Sequence, residues 1–322
     1  MPLWIQRASK KIALKSITRC FHGTPAQFES HLPKAETIWF IKVHLNPSIA
    51  FFVIQHINNH FSNPRLAFEF FQFTRLNLSL VHSVSTFNLL LMSLCQIGFF
   101  DLAQLMLDYT ITDGLLLDGS VVEFLVSCFA NAGKFRICKE VLISQANLSS
   151  EKEEVVSSFA HNILLSMLVK RNRVDEAVQF FQDHILILRG FCPDTCSFNI
   201  VIRGLCKGGQ VDKAFQLFYD MGSFGCSPDM ITYNSLINGL CTVGNLDRAL
   251  CLLRDIQSQV GVAPDVVTYT SIISGLCKSG KMEEAASLLD EMVQCGIRPN
   301  LITFNVLIDG FGKSVVIVRL ES

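Results

Sequence analysis

Six polar residues recur inside segments that otherwise pattern as apolar helices: Asn88, Asn162, Asn199, Asn234, Thr270 and Asn305. Asparagine is a poor helix former, because its short side chain competes for the backbone's own hydrogen bonds. Its return at one place in successive helices therefore suggests a task. A carboxamide carries both a donor and an acceptor, as the edge of a pyrimidine base requires. The same atoms could instead make an interhelix hydrogen bond that sets the register of neighbouring helices. On the residues alone both uses stand. Catalysis has no such support: the chain has no HxE with CxxC zinc site and no aspartate cluster on an added domain.

The elements that would position these residues are visible as a repetition. FNIVIRGLCKGGQVDKAFQLF (198–218), YNSLINGLCTVGNLDRALCLL (233–253) and YTSIISGLCKSGKMEEAASLL (269–289) align without a gap. Each is followed by a short variable stretch closing on Pro228-Asp229, Pro264-Asp265 or Pro299-Asn300. Units open at Thr195, Met230 and Val266, 35 and 36 residues apart, and a fixed period of this size means stacked repeats. The register extends backwards through 158–194, 119–157, 84–118 and a degenerate 48–83 that reads as an amino-terminal cap, and forwards into a partial 301–314. The 119–157 unit is the weakest, with Cys138 in place of the usual Ala and no closing Pro-Asp.

Within a unit the apolar spacing predicts two helices. Tyr233, Leu236, Ile237 and Leu240 fall at i, i+3, i+4 and i+7, and Ala249, Leu252, Leu253 and Ile256 repeat the pattern. Gly98, Gly133, Gly209, Gly244 and Gly280, with Asn172 in the remaining unit, sit where a left-handed cap would end the first helix. Asp101, Asp175, Asp212, Asp247 and Glu283 then place negative charge at the start of the second. The fold this predicts is all-α, a superhelix of antiparallel helix-turn-helix pairs.

Composition fits that reading. Half the residues are hydrophobic and the mean hydropathy is +0.37, yet no apolar run approaches the ~20 residues of a membrane-spanning helix. Ser48–Val53 is too short, and Leu115–Ala130 carries Asp118 and Glu123. Of the twelve cysteines, Cys95, Cys206, Cys241 and Cys277 occupy the twelfth position of four different repeats, where others have Ala130, Val169 and Gly312. The position asks for a small buried side chain, and cysteine serves as a small hydrophobe. Cys192 and Cys196 form a lone CxxxC, so neither a metal nor another cofactor is expected.

The two ends depart from the pattern. Residues 1–28 hold Arg7, Lys10, Lys11, Lys15 and Arg19 and no acidic residue, the signature of an organelle transit peptide, expected with its linker over 1–40. Sparse Ser and Thr before Thr24 favour mitochondrion over plastid. Without those five charges the net charge of −1 becomes −6, so nucleic acid would have to be held locally rather than by a broad positive field. After FNVLIDGFGKS (304–314) the second helix is replaced by VVIVRLES, read as an irregular tail over 315–322 on a truncated last repeat.

The 35-residue period, the TYN(S/T)LI(N/S)GLCK wording and the closing P(D/N) resemble the pentatricopeptide repeat family in its P-type form. The resemblance covers roughly 48–314 and is most specific over 195–311. It implies a right-handed superhelical solenoid in a plant organellar protein that binds single-stranded RNA, one base per repeat. In that family the fifth residue of a repeat works with the last. Carried over, Asn88 goes with Asp118, Asn162 with Asp194, Asn199 with Asp229 and Asn234 with Asp265, a combination preferring uracil. Thr270 with Asn300 prefers adenine, Glu123 with Ser157 matches no combination, and Asn305 lacks its partner. The implied tract is 5′-UxUUUA-3′.

The resemblance further implies that second-position residues clamp each base: Ser85, Phe159, Cys196, Ile231, Val267 and Ile302. Ordinary packing between repeats is the other use such side chains could have. Lys170, Lys207, Lys278 and Lys313 close first helices, where they could meet phosphates or simply complement the helix dipole. The expected activity is non-catalytic binding of an organellar transcript in processing, stability or translation, with neither DNA nor membrane as a partner. The alternative is a helical scaffold for RNA-processing or ribosomal proteins.

Overall fold

The computed structural model describes residues 45–151, 158–187, 193–258 and 261–321, so the expected leader and the partner position Ser157 lie outside the described residues. Among those residues all regular structure is helical. The chain forms two compact units, one up to Lys152 and one from Glu153 onward. The division falls in the 119–157 repeat, the weakest match to the pattern.

The first unit holds α1 (Pro47–Phe61), α2 (Pro64–Leu78), α3 (Val84–Ile97), α4 (Phe100–Thr112), α5 (Gly119–Asn131) and α6 (Phe135–Glu151). The second holds α7 (Ser158–Lys170), α8 (Val174–Ile187), α9 (Thr195–Lys207), α10 (Val211–Asp220), α11 (Met230–Thr242), α12 (Leu246–Ser258), α13 (Val266–Lys278), α14 (Met282–Gln294) and α15 (Leu301–Glu321). Odd-numbered helices are the first helices of repeats and even-numbered ones the second. First helices stack on first helices, α7 on α9, α9 on α11, α11 on α13 and α13 on α15. Second helices also pack against the first helix of the next repeat, as α2 does on α3, α8 on α9, α10 on α11 and α12 on α13.

The apolar spacing lands where it should. Leu236, Ile237 and Ala249 are fully buried, as are Ile272, Ile273 and Ala285 one repeat later. Each such Leu or Ile contributes roughly 1.5–3 kcal/mol by leaving water. The turn residues adopt the left-handed conformation in all six repeats: φ is +88° at Gly98, +75° at Gly133, +60° at Asn172, +74° at Gly209, +79° at Gly244 and +73° at Gly280. Around Gly244 the Asn245 amide donates to Leu240 O at 2.9 Å and the Gly244 amide to Cys241 O at 3.3 Å, the paired bonds of a Schellman cap.

A second set of glycines sets how closely first helices approach. A Cβ on Gly204 would lie 2.8 Å from a methyl of Val169, and one on Gly310 2.8 Å from Cys277 Cβ. A Cβ on Gly275 would meet Leu246 at 2.7 Å and Cys241 Cβ at 3.1 Å. The twelfth-position residue is thus small because it rests on the backbone of the following repeat's tenth position. Outside the core, charges latch successive second helices: Lys134 donates to Asp101 and Arg248 to Asp212, both at 3.0 Å.

One sequence expectation is corrected. Residues 315–321, read as an irregular tail, continue α15 as helix. Earlier repeats stop the first helix with Gly or Asn in the left-handed conformation, but the equivalent position here is Val315. A β-branched residue resists that conformation, so the helix runs on.

Candidate functional site

Three of the four closing aspartates cap the helix that follows, while Asp118 holds the same place before α5 without a side-chain cap bond. Asp194 Oδ1 accepts from the Ser197 amide at 2.7 Å, Asp229 Oδ1 from Thr232 at 2.9 Å and Asp265 Oδ1 from Thr268 at 2.9 Å, each completed into a capping box by the hydroxyl of that third residue. Capping fixes the aspartate at the junction of two repeats. There it meets the fifth-position residue of the repeat it closes.

The meeting is direct in all four Asn–Asp units. Asn88 Nδ2 donates to Asp118 Oδ2 at 2.7 Å, and Asn162 Nδ2 to Asp194 Oδ1 at 3.1 Å. Asn199 Nδ2 donates to Asp229 Oδ1 at 3.0 Å, and Asn234 Nδ2 to both oxygens of Asp265 at 3.2 Å. A third residue closes three of the four brackets from the next repeat: the hydroxyls of Ser197, Thr232 and Thr268 donate to the Oδ1 of Asn162, Asn199 and Asn234 at 2.7, 2.6 and 2.7 Å. The register-setting hydrogen bond raised by the sequence is therefore present, and it uses the very atoms considered for base reading. In these three closed brackets one N–H and one carbonyl lone pair of each amide remain uncommitted.

Burial and charge follow from the geometry. Asn88, Asn162 and Asn199 are buried, whereas Asp194, Asp229 and Asp265 are partly exposed and Asp118 is exposed. Burial pushes the carboxyls of Asp194 and Asp229 up, but the hydrogen bonds of Ser197 with Asn162, and of Thr232 with Asn199, outweigh it and hold both below the ordinary value. These two brackets thus present a fixed anion beside an oriented amide.

The remaining units differ. Thr270 does not reach Asn300 directly; its Oγ1 pairs with Thr303 Oγ1 at 2.8 Å, and Thr303 Oγ1 stands 3.1 Å from Asn300 Oδ1. The threonine hydroxyl is one bond shorter than a carboxamide, so the third residue relays the contact. Glu123 is half-buried, and Asn305 is exposed.

Beside the brackets lies an apolar row. Phe159, Ile231, Val267 and Ile302 are 58%, 59%, 51% and 62% exposed, with Ser85 and Cys196 also exposed. More than half of each of these apolar side chains is open to solvent. Lys170, Lys207 and Lys278 are exposed in the last turns of α7, α9 and α13, while Lys313 pairs with Asp309 at 2.6 Å. One cleft of about 190 Å³ brings three of the expected classes together, with Thr270, Lys278 and Ile302 in its lining alongside Asn238, Thr242 and Ser274. Sequence reasoning missed the third-position hydroxyls; the D-x-x-(S/T) spacing of a capping box was their signal.

The pattern is matched by a known family. The PPR repeat family matches residues 193–242, 228–278 and 264–313, and the PPR repeat matches 85–115 and 159–183, together more than half the chain. The chain belongs to the pentatricopeptide repeat family. It is 42% identical over 167 residues to the pentatricopeptide repeat-containing protein At2g06000 of Arabidopsis thaliana, covering 52% of this chain and 29% of that protein. Similarity to At4g11690 of the same plant is 37% over 162 residues, covering 45% of this chain and 28% of that one. The chain therefore spans less than a third of these relatives. Among solved structures it resembles the pentatricopeptide repeat protein PPR10 in complex with an 18-nt psaJ RNA element, with a TM-score of 0.50 and 27% identity over 86% of this chain and 39% of that one.

Proposed function

We propose that this chain binds single-stranded RNA, each repeat addressing one base through its Asn–Asp bracket and the base stacking against the exposed second-position side chains. The observation that carries this reading is the recurrence of one geometry: an amide held against a carboxylate in four repeats, with exposed apolar side chains Phe159, Ile231, Val267 and Ile302 in a row beside them. A surface built only to hold repeats together has no need for apolar side chains in water. The likeness to PPR10, solved with bound RNA, supports the same reading.

In this reading the order of bases is 5′-UxUUUA-3′, the family's preferences being uracil at the Asn–Asp units and adenine at Thr270–Asn300. In this reading the exposed Lys170, Lys207 and Lys278 meet phosphates, and binding then depends on salt. In this reading the protein is a P-type member acting in a mitochondrion by occupying a transcript, without catalysis.

The test is a titration of the full chain against a UxUUUA oligomer and a purine-swapped control at fixed salt, with an Asn199→Ala/Asn234→Ala variant beside it. Preference for the U-rich strand, lost in the variant, is the expected result. Equal or absent binding, with helicity intact by circular dichroism, would favour a protein scaffold instead.

A further inference from the structure

Resting on that RNA-binding reading, we propose that the third residue of the following repeat (Ser197, Thr232 or Thr268) is a positioning residue that determines how sharply the preceding amide discriminates between bases. A carboxylate only accepts, so the amide nitrogen must face it. That single bond leaves the amide free to swing about the N···O direction. A second bond at the opposite end of the amide fixes its plane. The Thr232 hydroxyl supplies it: Oγ1 receives the Asp229 amide at 3.1 Å and stands 2.6 Å from Asn199 Oδ1 and 2.9 Å from Asp229 Oδ1. Its one proton belongs to Asn199, because Asp229 Oδ1 already accepts the Thr232 and Asn199 N–H groups. The uncommitted N–H and lone pair of the amide then point in set directions.

The chain contains its own control. The residue at the third position after Asn88–Asp118 is Val121, which has no hydroxyl. Asn88 Nδ2 still reaches Asp118 at 2.7 Å, but Asn88 Oδ1 is buried with no hydrogen-bond partner. The Asn88 amide is held at one point where Asn162, Asn199 and Asn234 are held at two. The base opposite Asn88 is accordingly read less stringently than the bases opposite the other three.

Threonine and valine have the same shape, which makes the test isosteric. Binding of the full chain is measured to a UAUUUA-core oligomer and to versions with adenine opposite Asn88, Asn162 or Asn199 in turn. Thr232→Val is expected to lower the uracil-over-adenine ratio opposite Asn199 about three- to tenfold, the span set by one hydrogen bond. The ratio opposite Asn162 stays unchanged, and Thr232→Ser restores the lost one. Val121→Thr is expected to raise the ratio opposite Asn88, and this arm decides the matter should Thr232→Val not fold. If the wild type discriminates but both variants leave the ratios where they were, the positioning role is wrong while RNA reading stands. If the wild type does not distinguish uracil at any of these bases, base reading itself fails and takes this inference with it.

Discussion

Gly239 of α11 faces Cys206 of α9 so closely that a Cβ on the glycine would lie 2.7 Å from Cys206 Cβ and 2.8 Å from its sulfur. Cys206 Cβ is fixed by the backbone, so rotating the side chain cannot relieve the contact. Gly239→Ala should therefore destabilise the protein by about 1–3 kcal/mol through overpacking, reversing the ~1 kcal/mol that alanine gains in an unconstrained helix. The sign of the shift in urea midpoint checks this. Relief by a second substitution, Cys206→Gly, would locate the clash at that pair.

The cysteines should separate into two kinetic classes. Burial pushes the thiols of Cys95, Cys138 and Cys206 up to about 12 and that of Cys241 up to about 11. A thiol protonated at neutral pH is a poor nucleophile. Brief alkylation of the folded protein, read by peptide mass spectrometry, should mark the exposed Cys196, Cys251 and Cys295 while leaving Cys95, Cys138 and Cys206 unmodified. All should react in denaturant.

His82 makes stability depend on pH in the first unit. The ring is buried 4.5 Å from Phe71, with Nε2 2.8 Å from Thr74 Oγ1 and Nδ1 unpartnered. Burial first, and then the Arg75 guanidinium, lower its pKa to about 4 from 6.5, against the opposing pull of Asp113. Above about pH 6.5 the folded and unfolded forms are both neutral and stability is full. Between there and about pH 4 the unfolded chain binds a proton that the folded one refuses, so stability falls with pH, by up to about 3 kcal/mol. Denaturation midpoints at pH 7 and 4.5 should differ, and His82→Gln should narrow the difference.

Asp229→Ala should cost about 2 kcal/mol, because it removes the cap of α11 and leaves the buried Asn199 amide without its acceptor. The native carboxyls of Asp194 and Asp229 are held below their ordinary value, so their contribution is present above the unfolded pKa. It fades as pH falls through the lowered values. Acid titration of Asp229→Ala by circular dichroism should show a shallower loss of stability than the wild type.

Asp265→Asn tests whether charge or shape matters in the bracket. The amide retains an acceptor for the Thr268 N–H, as Asn300 does for Thr303 at 3.0 Å. Helix capping should survive with a loss below about 1 kcal/mol, since Asn and Asp cap equally well. Binding to the U-rich oligomer should nonetheless weaken selectively at the base opposite Asn234, measured by competition at fixed salt.

Much of this architecture was legible because local forces wrote it. Helix faces follow from apolar spacing, so the buried Leu236, Ile237, Leu252 and Leu253 could be named from their intervals. The left-handed turns at Gly98 through Gly280 follow from the one backbone conformation that side chains resist. The fifth-position asparagines drew notice because a helix disfavours them. Less visible was the third-position hydroxyl, which looks like an ordinary cap until its second bond to the previous repeat is seen. The tail misled because a missing stop signal, Val315, weighs less to the eye than a changed composition.

The amino-acid order by itself determined the helices, their turns, the period and which residues return in each repeat, since these depend on neighbours within one or two turns. Only the tertiary structure decided that Asn199 meets Asp229 and Thr232 at one point, that the second-position side chains stand in solvent, and that the glycines at 204, 239, 275 and 310 carry the close approach of first helices. Those facts depend on the distance and rotation between stacked repeats. That geometry arises from side chains about 35 residues apart packing against one another, and no interval along the chain records it.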